Sequence, residues 1–554
     1  MRKLFSALVG NIVITAMLTG CTGMATTSAI TPLSPASTSA AVPSTSAAPS
    51  ISVPSAPGTQ PARETQPTQR VQPVQDTPRT QGNNSAERNN DTSTAKDTTP
   101  ATASPTTAAP TTAVSVTASP AAVSSTALNS QAFPGNVLLG KPTNNSITLS
   151  LLAPVAAELF IQYGEKTNQY NSQTSISTLQ KDQPLVIQLT GLNKDTQYYY
   201  RICHKAATEA SFNAGTEGTF VTQRVPGESF VFTVDADPHW DDNTDPAKVK
   251  LVFQNILNEH PDFNIDMGDT FMTQKLAPKS YQETAGIYAN RRSYFSIFGG
   301  SVPLYMVLGN HDGRQTWDKE ARDVYFTNPS PDNFYSGSGS RNYYSWEWGD
   351  SLFVVLDPYS STIPKAAAGW DWTLGKAQYD WLKSTLENSQ AKYKFVFAHH
   401  LVGGFDLGSA GNGRGGVEAA RFYEWGGQNT DGTLGFEVNR PGWGKPIQQL
   451  FIDNHVTIFF HGHDHLYAYQ QLNGVVYQEC PQPGSGGNEK NAILLGYTKG
   501  VFMPSPGHIC VSVSDLNIKV DYIRTYTPGR EPAGHTNGEL AYSYTINPDQ
   551  PGPK

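Results

Sequence analysis

Short polar motifs follow apolar runs at five places in the part of the chain beyond residue 230. Carboxylate, amide and imidazole side chains dominate these motifs. Because ligands bind at the carboxyl ends of strands in open α/β sheets, we expect the motifs to meet in one crevice. In chain order they are Asp237-Pro238-His239, Gly268-Asp269, Gly309-Asn310-His311-Asp312, His399-His400 and His461-Gly462-His463-Asp464-His465.

The side-chain types in these motifs predict a metal site. The set contains no cysteine, which excludes a structural zinc–thiolate site. Carboxylate, amide and imidazole ligands together suit zinc, iron or manganese. The motifs offer about seven ligands, too many for one tetrahedral ion, so two ions that share a bridging carboxylate are the simplest solution. Such a pair holds an oxygen nucleophile and neutralises negative charge that develops on phosphorus.

The elements around the motifs predict a layered α/β domain at 226–530, followed by a C-terminal tail at 531–554. Val249 to Leu257 has the apolar spacing of a helix. Short apolar runs read as buried strands, and their alternation with helical segments is typical of a layered α/β fold. These runs lie at 231–234, 263–265, 304–308, 352–356, 395–398 and 456–460.

The preceding segment, 133–225, predicts a small all-β sandwich. Ser146 to Leu151 alternates between polar and apolar residues, and strand-like runs follow at 159–163, 185–189 and 198–202. Clusters of Gly, Asn and Asp separate the runs, as in sandwiches of short strands. The stretch from Leu189 to Arg201 resembles the end of a fibronectin-type domain.

The N-terminal segment has the features of an export signal. Arg2 and Lys3 precede a short apolar stretch that ends in Leu18-Thr19-Gly20-Cys21. This ending resembles a bacterial lipobox, which implies a signal peptide at 1–21 and a lipid on Cys21. We therefore expect an extracytoplasmic protein, anchored through Cys21 to the bacterial cell membrane or outer membrane. Residues 22–132 are rich in Ser, Thr, Ala and Pro and contain no aromatic residue, so they predict a disordered stalk.

Composition sets further bounds. A length of 554 residues favours two folded domains. The net charge of −8 argues against binding to nucleic acid through a basic surface, and no role as a nucleic-acid scaffold is expected. Three further cysteines, Cys203, Cys480 and Cys510, permit one disulfide whose pairing the sequence does not reveal.

The ordered set of motifs, from about Ser229 to Thr527, resembles the calcineurin-like metallophosphoesterase superfamily. Together with the preceding sandwich, it is similar to the purple acid phosphatase branch. The resemblance implies a phosphohydrolase in which a metal-bound hydroxide attacks a phosphomonoester or phosphodiester substrate. It further implies that Asp269 bridges two ions; the remaining ligands would be Asp237, His239 and His465 for one ion, and Asn310, His399 and His463 for the other.

The resemblance also assigns roles beside the metals. His311 would contact the phosphoryl group or protonate the leaving oxygen, and Asp312 would orient the His311 ring. Purple enzymes carry a tyrosine three residues after the bridging Asp, where this chain has Met272. An iron(III)–tyrosinate centre is therefore not expected, and the two divalent or trivalent ions are iron, manganese or zinc.

Residues near the motifs are candidates for substrate binding. His400, Arg314 and Arg341 are the first of these, and Arg414 is another that could contact phosphate. The alternative for His400 is packing in a loop, and the alternative for each arginine is a surface position. A Gly-rich insertion, 401–445, contains Phe422, Tyr423, Trp425 and Trp443, which could stack on a substrate ring or form a small core. The alternative function is a non-catalytic cell-surface binding lipoprotein that has kept the fold.

Overall fold

The computed structural model describes residues 114–115, 128–313, 315–338, 342–362, 366, 369–407, 413–487 and 489–547. The predicted signal peptide, Cys21 and most of the predicted stalk lie outside these residues, as do Arg314 and Arg341. Among the helices described, none is both long enough and apolar enough to cross a membrane. The cysteines of this part of the chain, Cys203, Cys480 and Cys510, are free and buried.

The first region is all-β and forms a sandwich of two sheets. The strands are β1 (Val114–Ser115), β2 (Asn129–Ser130), β3 (Asn136–Gly140), β4 (Ser146–Leu152), β5 (Ala157–Gly164), β6 (Ser172–Gln173), β7 (Ser177–Leu179), β8 (Leu185–Thr190), β9 (Gln197–Ala206), β10 (Asn213–Ala214) and β11 (Gly218–Val221). One sheet has the order β1-β8-β4-β3, and the other has β2-β10-β9-β5-β6, with β7 paired to β5 and β11 to β9. Both β1 and β2 come from the range predicted as stalk.

Strand β4 shows how the sandwich joins the rest of the chain. Its apolar residues Ile147, Leu149 and Leu151 face the sandwich core, as the alternation predicts. Its polar residues are buried as well, because a helix of the second region covers the other face. From that helix, Arg292 donates to the Ser150 hydroxyl over 2.9 Å.

The second region consists of two packed mixed sheets flanked by helices. The strands are β12 (Phe230–Asp235), β13 (Phe263–Asp266), β14 (Leu304–Met306), β15 (Ser336–Gly337), β16 (Tyr344–Trp348), β17 (Ser351–Val355), β18 (Tyr393–Phe397), β19 (Ile458–His461), β20 (Tyr467–Leu472), β21 (Val475–Glu479), β22 (Val501–Met503), β23 (Gly507–Val513), β24 (Ile518–Arg524) and β25 (Glu539–Ile546). The sheet orders are β14-β13-β12-β23-β24-β25 and β15-β16-β17-β18-β19-β21-β20-β22.

Helices cover the outer faces of both sheets. Helices α1 and α3 pack against the first sheet, and α5 and α8 pack against the second. The predicted helix at 249–257 lies within α1, which follows the Asp245 cap and begins at Pro246. The helices are α1 (Pro246–Asn258), α2 (Thr273–Leu276), α3 (Tyr281–Gly299), α4 (Asp318–Tyr325), α5 (Lys376–Asn388), α6 (Tyr423–Gly426), α7 (Phe436–Asn439) and α8 (Ile447–Asp453).

The core between the two sheets is rich in aromatic rings, including Phe232, Phe263, Phe353, Phe395 and Phe460. Strands β12, β13 and β14 run parallel in one sheet, and β17, β18, β19 and β21 run parallel in the other. Their carboxyl ends carry the polar motifs. The prediction of a layered α/β fold preceded by a small all-β sandwich is confirmed.

The segment predicted as a C-terminal tail adds a strand to this domain. Strand β25 pairs with β24 from Ile518 to Arg524, with one irregularity after Tyr522. Apart from Ala541 and Tyr542, its residues from Glu539 to Ile546 alternate in exposure, because one face packs on the sheet and the other faces solvent. Tyr544 from this strand reaches the aromatic core.

Candidate metal centre

Asp269 lies at the middle of the cluster of predicted ligands. Its Oδ2 atom is 3.0 Å from His239 Nε2 and 3.4 Å from His399 Nε2. Its Oδ1 atom accepts a hydrogen bond from the backbone N–H of His311 over 2.8 Å. Asn310 adjoins the same group, because its Oδ1 atom is 3.2 Å from His399 Nε2. The carboxylate that the resemblance assigns as the bridge therefore has ligand atoms on both sides.

Asp237 is the second carboxylate around which predicted histidine ligands lie. Its Oδ1 atom lies 3.5 Å from His465 Nε2 and 3.7 Å from the Nε2 atoms of both His239 and His399. Within the described residues, this buried oxygen has no hydrogen-bond partner. A buried carboxylate oxygen costs free energy unless a cation or donor satisfies it. Its position among three imidazole nitrogens fits a bound metal ion.

Three groups of side chains bring their ligand atoms within 4.8 Å of one another. Asp269 and His239 each belong to two of these groups, and Asp269 is the carboxylate among these shared residues. His463 joins it in one group, and His311 joins it in the other. The groups are Asp237, His239 and His465; His239, Asp269 and His311; and Asp269, His399 and His463.

The backbone bends sharply where the strands deliver these residues. Five of them have a positive φ, a backbone angle that residues with a Cβ atom rarely adopt. Such conformations persist only where the surrounding structure fixes them, and they concentrate at functional sites. Gly268 has φ 95°, and a Cβ there would lie 2.4 Å from the backbone nitrogen of Gly309, so two ligand loops approach closely at this point. The five are Asp237 (55°), His239 (44°), Asp269 (55°), His463 (79°) and His465 (61°).

The electrostatics of the cluster favour cations. Burial alone would raise the pKa of Asp269, but the His399 and His239 imidazoles hold that pKa well below its usual value. Burial would likewise lower the pKa of His399, yet Asp269 and Asp237 raise it to about 9. His399 Nδ1 lies 2.9 Å from the Met267 carbonyl oxygen, which fixes the tautomer that leaves Nε2 for a metal.

Comparison with known proteins identifies the domain that carries this cluster. Residues 230–467 match the family model for calcineurin-like phosphoesterases. This is a calcineurin-like phosphoesterase domain. The protein is a metal-dependent phosphoester hydrolase, as the sequence motifs predict.

One solved structure supports the fold of the phosphoesterase, and a second is reported for comparison. The structure of PhoD is 15% identical in sequence, with a TM-score of 0.55 over 76% of this chain and 92% of that chain. The purple acid phosphatase PPD1 from seeds of yellow lupin (Lupinus luteus) is 15% identical, with a TM-score of 0.49 over 75% of this chain and 74% of that chain. A search of curated protein sequences returns no match to this chain.

His311 stands at the open side of the phosphoesterase cluster. Its Nε2 atom is 3.9 Å from Asp269 Oδ2, and its Nδ1 atom is 2.7 Å from the side-chain oxygen of Gln274. Burial lowers the pKa of His311 to about 4. Sequence reasoning missed Gln274, which lies on the short helix α2 and has no motif of its own.

Asp312 has a different role from the one that the resemblance implies. Its carboxylate accepts hydrogen bonds from the backbone N–H groups of Thr270, Phe271 and Met272, over 2.8 to 3.1 Å. Gln274, rather than Asp312, contacts the His311 ring. The reason is geometric, since the buried Asp312 side chain turns under the loop that follows Asp269 and fixes that loop.

His400 is not part of the open site. It is 1% exposed, and its Nδ1 atom is 2.6 Å from the Leu401 carbonyl oxygen. Its ring packs edge-on against Tyr359 and Trp372, with centroid distances of 5.3 and 5.0 Å. This environment is that of a packed aromatic cluster behind the ligands.

The tryptophans of the insertion pack into the core between the second sheet and its helices. Trp425 is fully buried and packs against Phe451 and Phe459. Trp443 lies over Tyr379 with a centroid distance of 4.5 Å. Of the two interpretations open from the sequence, the structure favours packing of these rings over stacking on a substrate.

Proposed function

We propose that the protein is an extracytoplasmic phosphohydrolase that uses two metal ions to cleave phosphomonoesters or phosphodiesters. The observation that carries this proposal is the place of Asp269, which belongs to two groups of converging ligand atoms. A carboxylate in this position can serve both ions of a two-metal site, whereas an imidazole nitrogen can serve only one. The match to the calcineurin-like phosphoesterases supports the same chemistry.

The ligands divide between two positions. Asp237, His239 and His465 would hold one ion, and Asn310, His399 and His463 would hold the other, while Asp269 would belong to both. Bound ions would activate water as a nucleophile and neutralise charge on the phosphoryl oxygens. Mixed oxygen and nitrogen donors suit iron, manganese or zinc, and Met272 removes the tyrosine that a purple iron(III) centre requires.

The residues of the chain perform the remaining tasks. His311 lies beside Asp269 with one ring nitrogen toward Gln274, so its other nitrogen faces the place where the phosphoryl group would bind. From there it can bind a phosphoryl oxygen or move a proton to the leaving oxygen. Gln274 holds the ring in that orientation. Asp312 fixes the loop on which both Asp269 and α2 depend.

The cellular location in this proposal rests on the N-terminal sequence. Arg2 and Lys3, the short apolar stretch and the Leu18-Thr19-Gly20-Cys21 ending support export followed by lipid attachment at Cys21. Labelling of cells with a radioactive fatty acid, compared between the wild type and Cys21→Ser, tests this part. Equal label in both proteins would contradict the lipid anchor.

Metal content and hydrolysis, measured together, test the function. The detergent-solubilised full chain is loaded with iron, manganese or zinc, and its metal content is determined by elemental analysis. Hydrolysis of p-nitrophenyl phosphate and bis-p-nitrophenyl phosphate is then followed, with His311→Ala as the inactive comparison. We expect two ions per chain and turnover that falls about 100-fold or more in the variant.

The other outcomes are equally informative. A chain that binds no metal under any loading would overturn the proposal and leave the binding lipoprotein in its place. Wild-type rates in His311→Ala would contradict the role of this residue. The ratio of the rates on the two substrates would assign the class of ester.

A further inference from the structure

The residue between two of the predicted ligands, Asp464, is buried and receives hydrogen bonds from outside its own loop. Its Oδ1 atom accepts from Arg414 Nη1 over 2.9 Å. Its Oδ2 atom accepts from the backbone N–H of Gly415 over 2.9 Å and from the Tyr497 hydroxyl over 2.7 Å. Asp464 is 1% exposed and Tyr497 is fully buried, so water competes little for these bonds.

The donors come from two segments that are distant in the chain. Arg414 and Gly415 belong to the Gly-rich insertion, and Tyr497 belongs to the segment between β21 and β22. Arg414 also donates to the carbonyl oxygen of His463. On the opposite side, the backbone N–H of Asp464 donates to Glu479 Oε1 over 2.9 Å. The loop that carries His463 and His465 is thus held from several directions at one residue.

This loop requires such support because of its backbone. His463 and His465 have φ values of 79° and 61°, which residues with a Cβ atom rarely adopt. The backbone N–H of His463 already donates to Asp237 Oδ2 over 2.7 Å, which ties the loop to the ligand cluster. The hydrogen bonds of Asp464 join the same loop to the Gly-rich insertion and to Tyr497. The backbone therefore fixes the orientation of both histidine side chains before an ion binds.

We propose that Asp464, with Arg414 and Tyr497, is a positioning unit that holds His463 and His465 in the geometry that binds metal. The Gly-rich insertion then positions two metal ligands without itself contacting the ions. Arg414 holds the His463–His465 loop instead of binding phosphate. The inference rests on the two-metal function proposed above. Groups that orient metal ligands from behind typically change metal affinity by about 10- to 100-fold.

Two variants test the unit and a third serves as the matched control. Tyr497→Phe removes one hydroxyl and keeps the ring, and Asp464→Asn keeps the shape and removes the charge. Arg440→Gln is the control, because Arg440 forms a buried ion pair with Glu424 in the same insertion and its other hydrogen bonds go to the carbonyl oxygens of Asn439, Trp370 and Trp372.

Metal affinity is measured by competition with a chelator on each full-length apoprotein, and the absorption spectrum of the cobalt-loaded protein reports ligand geometry. We expect about tenfold weaker binding in Tyr497→Phe, about 10- to 100-fold weaker binding in Asp464→Asn, and altered cobalt bands in both. Arg440→Gln should lower thermal stability and leave metal affinity within about twofold of the wild type.

The outcomes separate this inference from the function on which it rests. Wild-type affinity and spectra in both Tyr497→Phe and Asp464→Asn would overturn the positioning unit, as would an equal loss of affinity in Arg440→Gln. A wild-type chain that binds no ions would instead contradict the two-metal function. If Asp464→Asn does not fold, Tyr497→Phe decides the question.

Discussion

The β-sandwich and the edge of the phosphoesterase domain that carries the predicted metal ligands (the ligand edge) bury different kinds of side chain. The sandwich core consists of apolar side chains such as Leu149 and Ile161, and its non-glycine residues with positive φ are exposed or half-buried. The ligand edge buries Asp237, Asp269 and Asp312, and most of its ligands have strained backbone angles.

This difference indicates where stability and function lie. Apolar burial stabilises the sandwich without any ligand. Desolvation of carboxylates and left-handed backbone conformations both oppose folding. At the ligand edge they accompany a site for cations. Ions that bind only the folded chain would offset this cost. The two regions should therefore respond differently to substitution and to metal.

The largest effect is expected at the bridging carboxylate. Asp269→Ala should lower turnover at least about 1,000-fold, because the loss of a shared metal ligand removes roughly 4 kcal/mol of transition-state stabilisation. Metal ions should raise the unfolding temperature of this variant less than that of the wild type, because a shared ligand is gone. Kinetics and thermal unfolding with and without metal measure the two quantities. An equal rise in unfolding temperature for both proteins would contradict the contrast between the regions.

A substitution in the sandwich core should have the reverse signature. Leu149 is fully buried, so Leu149→Ala should lower the free energy of unfolding by about 2–5 kcal/mol through lost burial and a cavity. Turnover per folded molecule and metal content should not change. Val155→Ala is the control, because Val155 is 44% exposed and its change should stay within about 0.5 kcal/mol. Denaturant unfolding and active-site titration distinguish these outcomes.

The phosphoesterase domain also buries a histidine away from the ligands. Burial lowers the pKa of His508 to about 3, whereas an unfolded histidine has a pKa near 6.5. Between these values the unfolded chain binds a proton that the native chain does not, so stability falls as pH falls, by up to about 1.4 kcal/mol per pH unit. His508→Leu should remove this contribution. Parallel stability curves for the two proteins between pH 6.5 and 4 would contradict it.

The smallest effect is expected at Gln274, which touches the site only through His311. Gln274→Ala should lower kcat about tenfold, or roughly 1.4 kcal/mol, because the His311 ring loses its partner. Metal content should remain that of the wild type. Gln282→Ala, an exposed change on α3, provides the comparison. An unchanged kcat in Gln274→Ala would mean that the ring needs no such support.

Much of the architecture follows from local sequence patterns. Period-two alternation predicts β4, and apolar spacing predicts α1, because each pattern reflects which face of one element is buried. The ligand set is also visible, since carboxylate and imidazole residues that directly follow buried strands must emerge at the same edge. The structure brings Asp237, Asp269 and His399 together in the way that this rule predicts.

Other features depend on residues that meet only in the folded chain. Gln274 contacts His311 from a helix of four residues, too short to leave a periodic signal. Arg414 and Tyr497 reach Asp464 from positions 50 and 33 residues away along the chain. His400 adjoins a predicted ligand in sequence, yet it packs into the aromatic cluster, because adjacent side chains at a strand end point in different directions. The sequence by itself determined which residues stand at the strand ends, since local patterns encode burial; only the tertiary structure decided their partners, since those contacts depend on how distant loops pack.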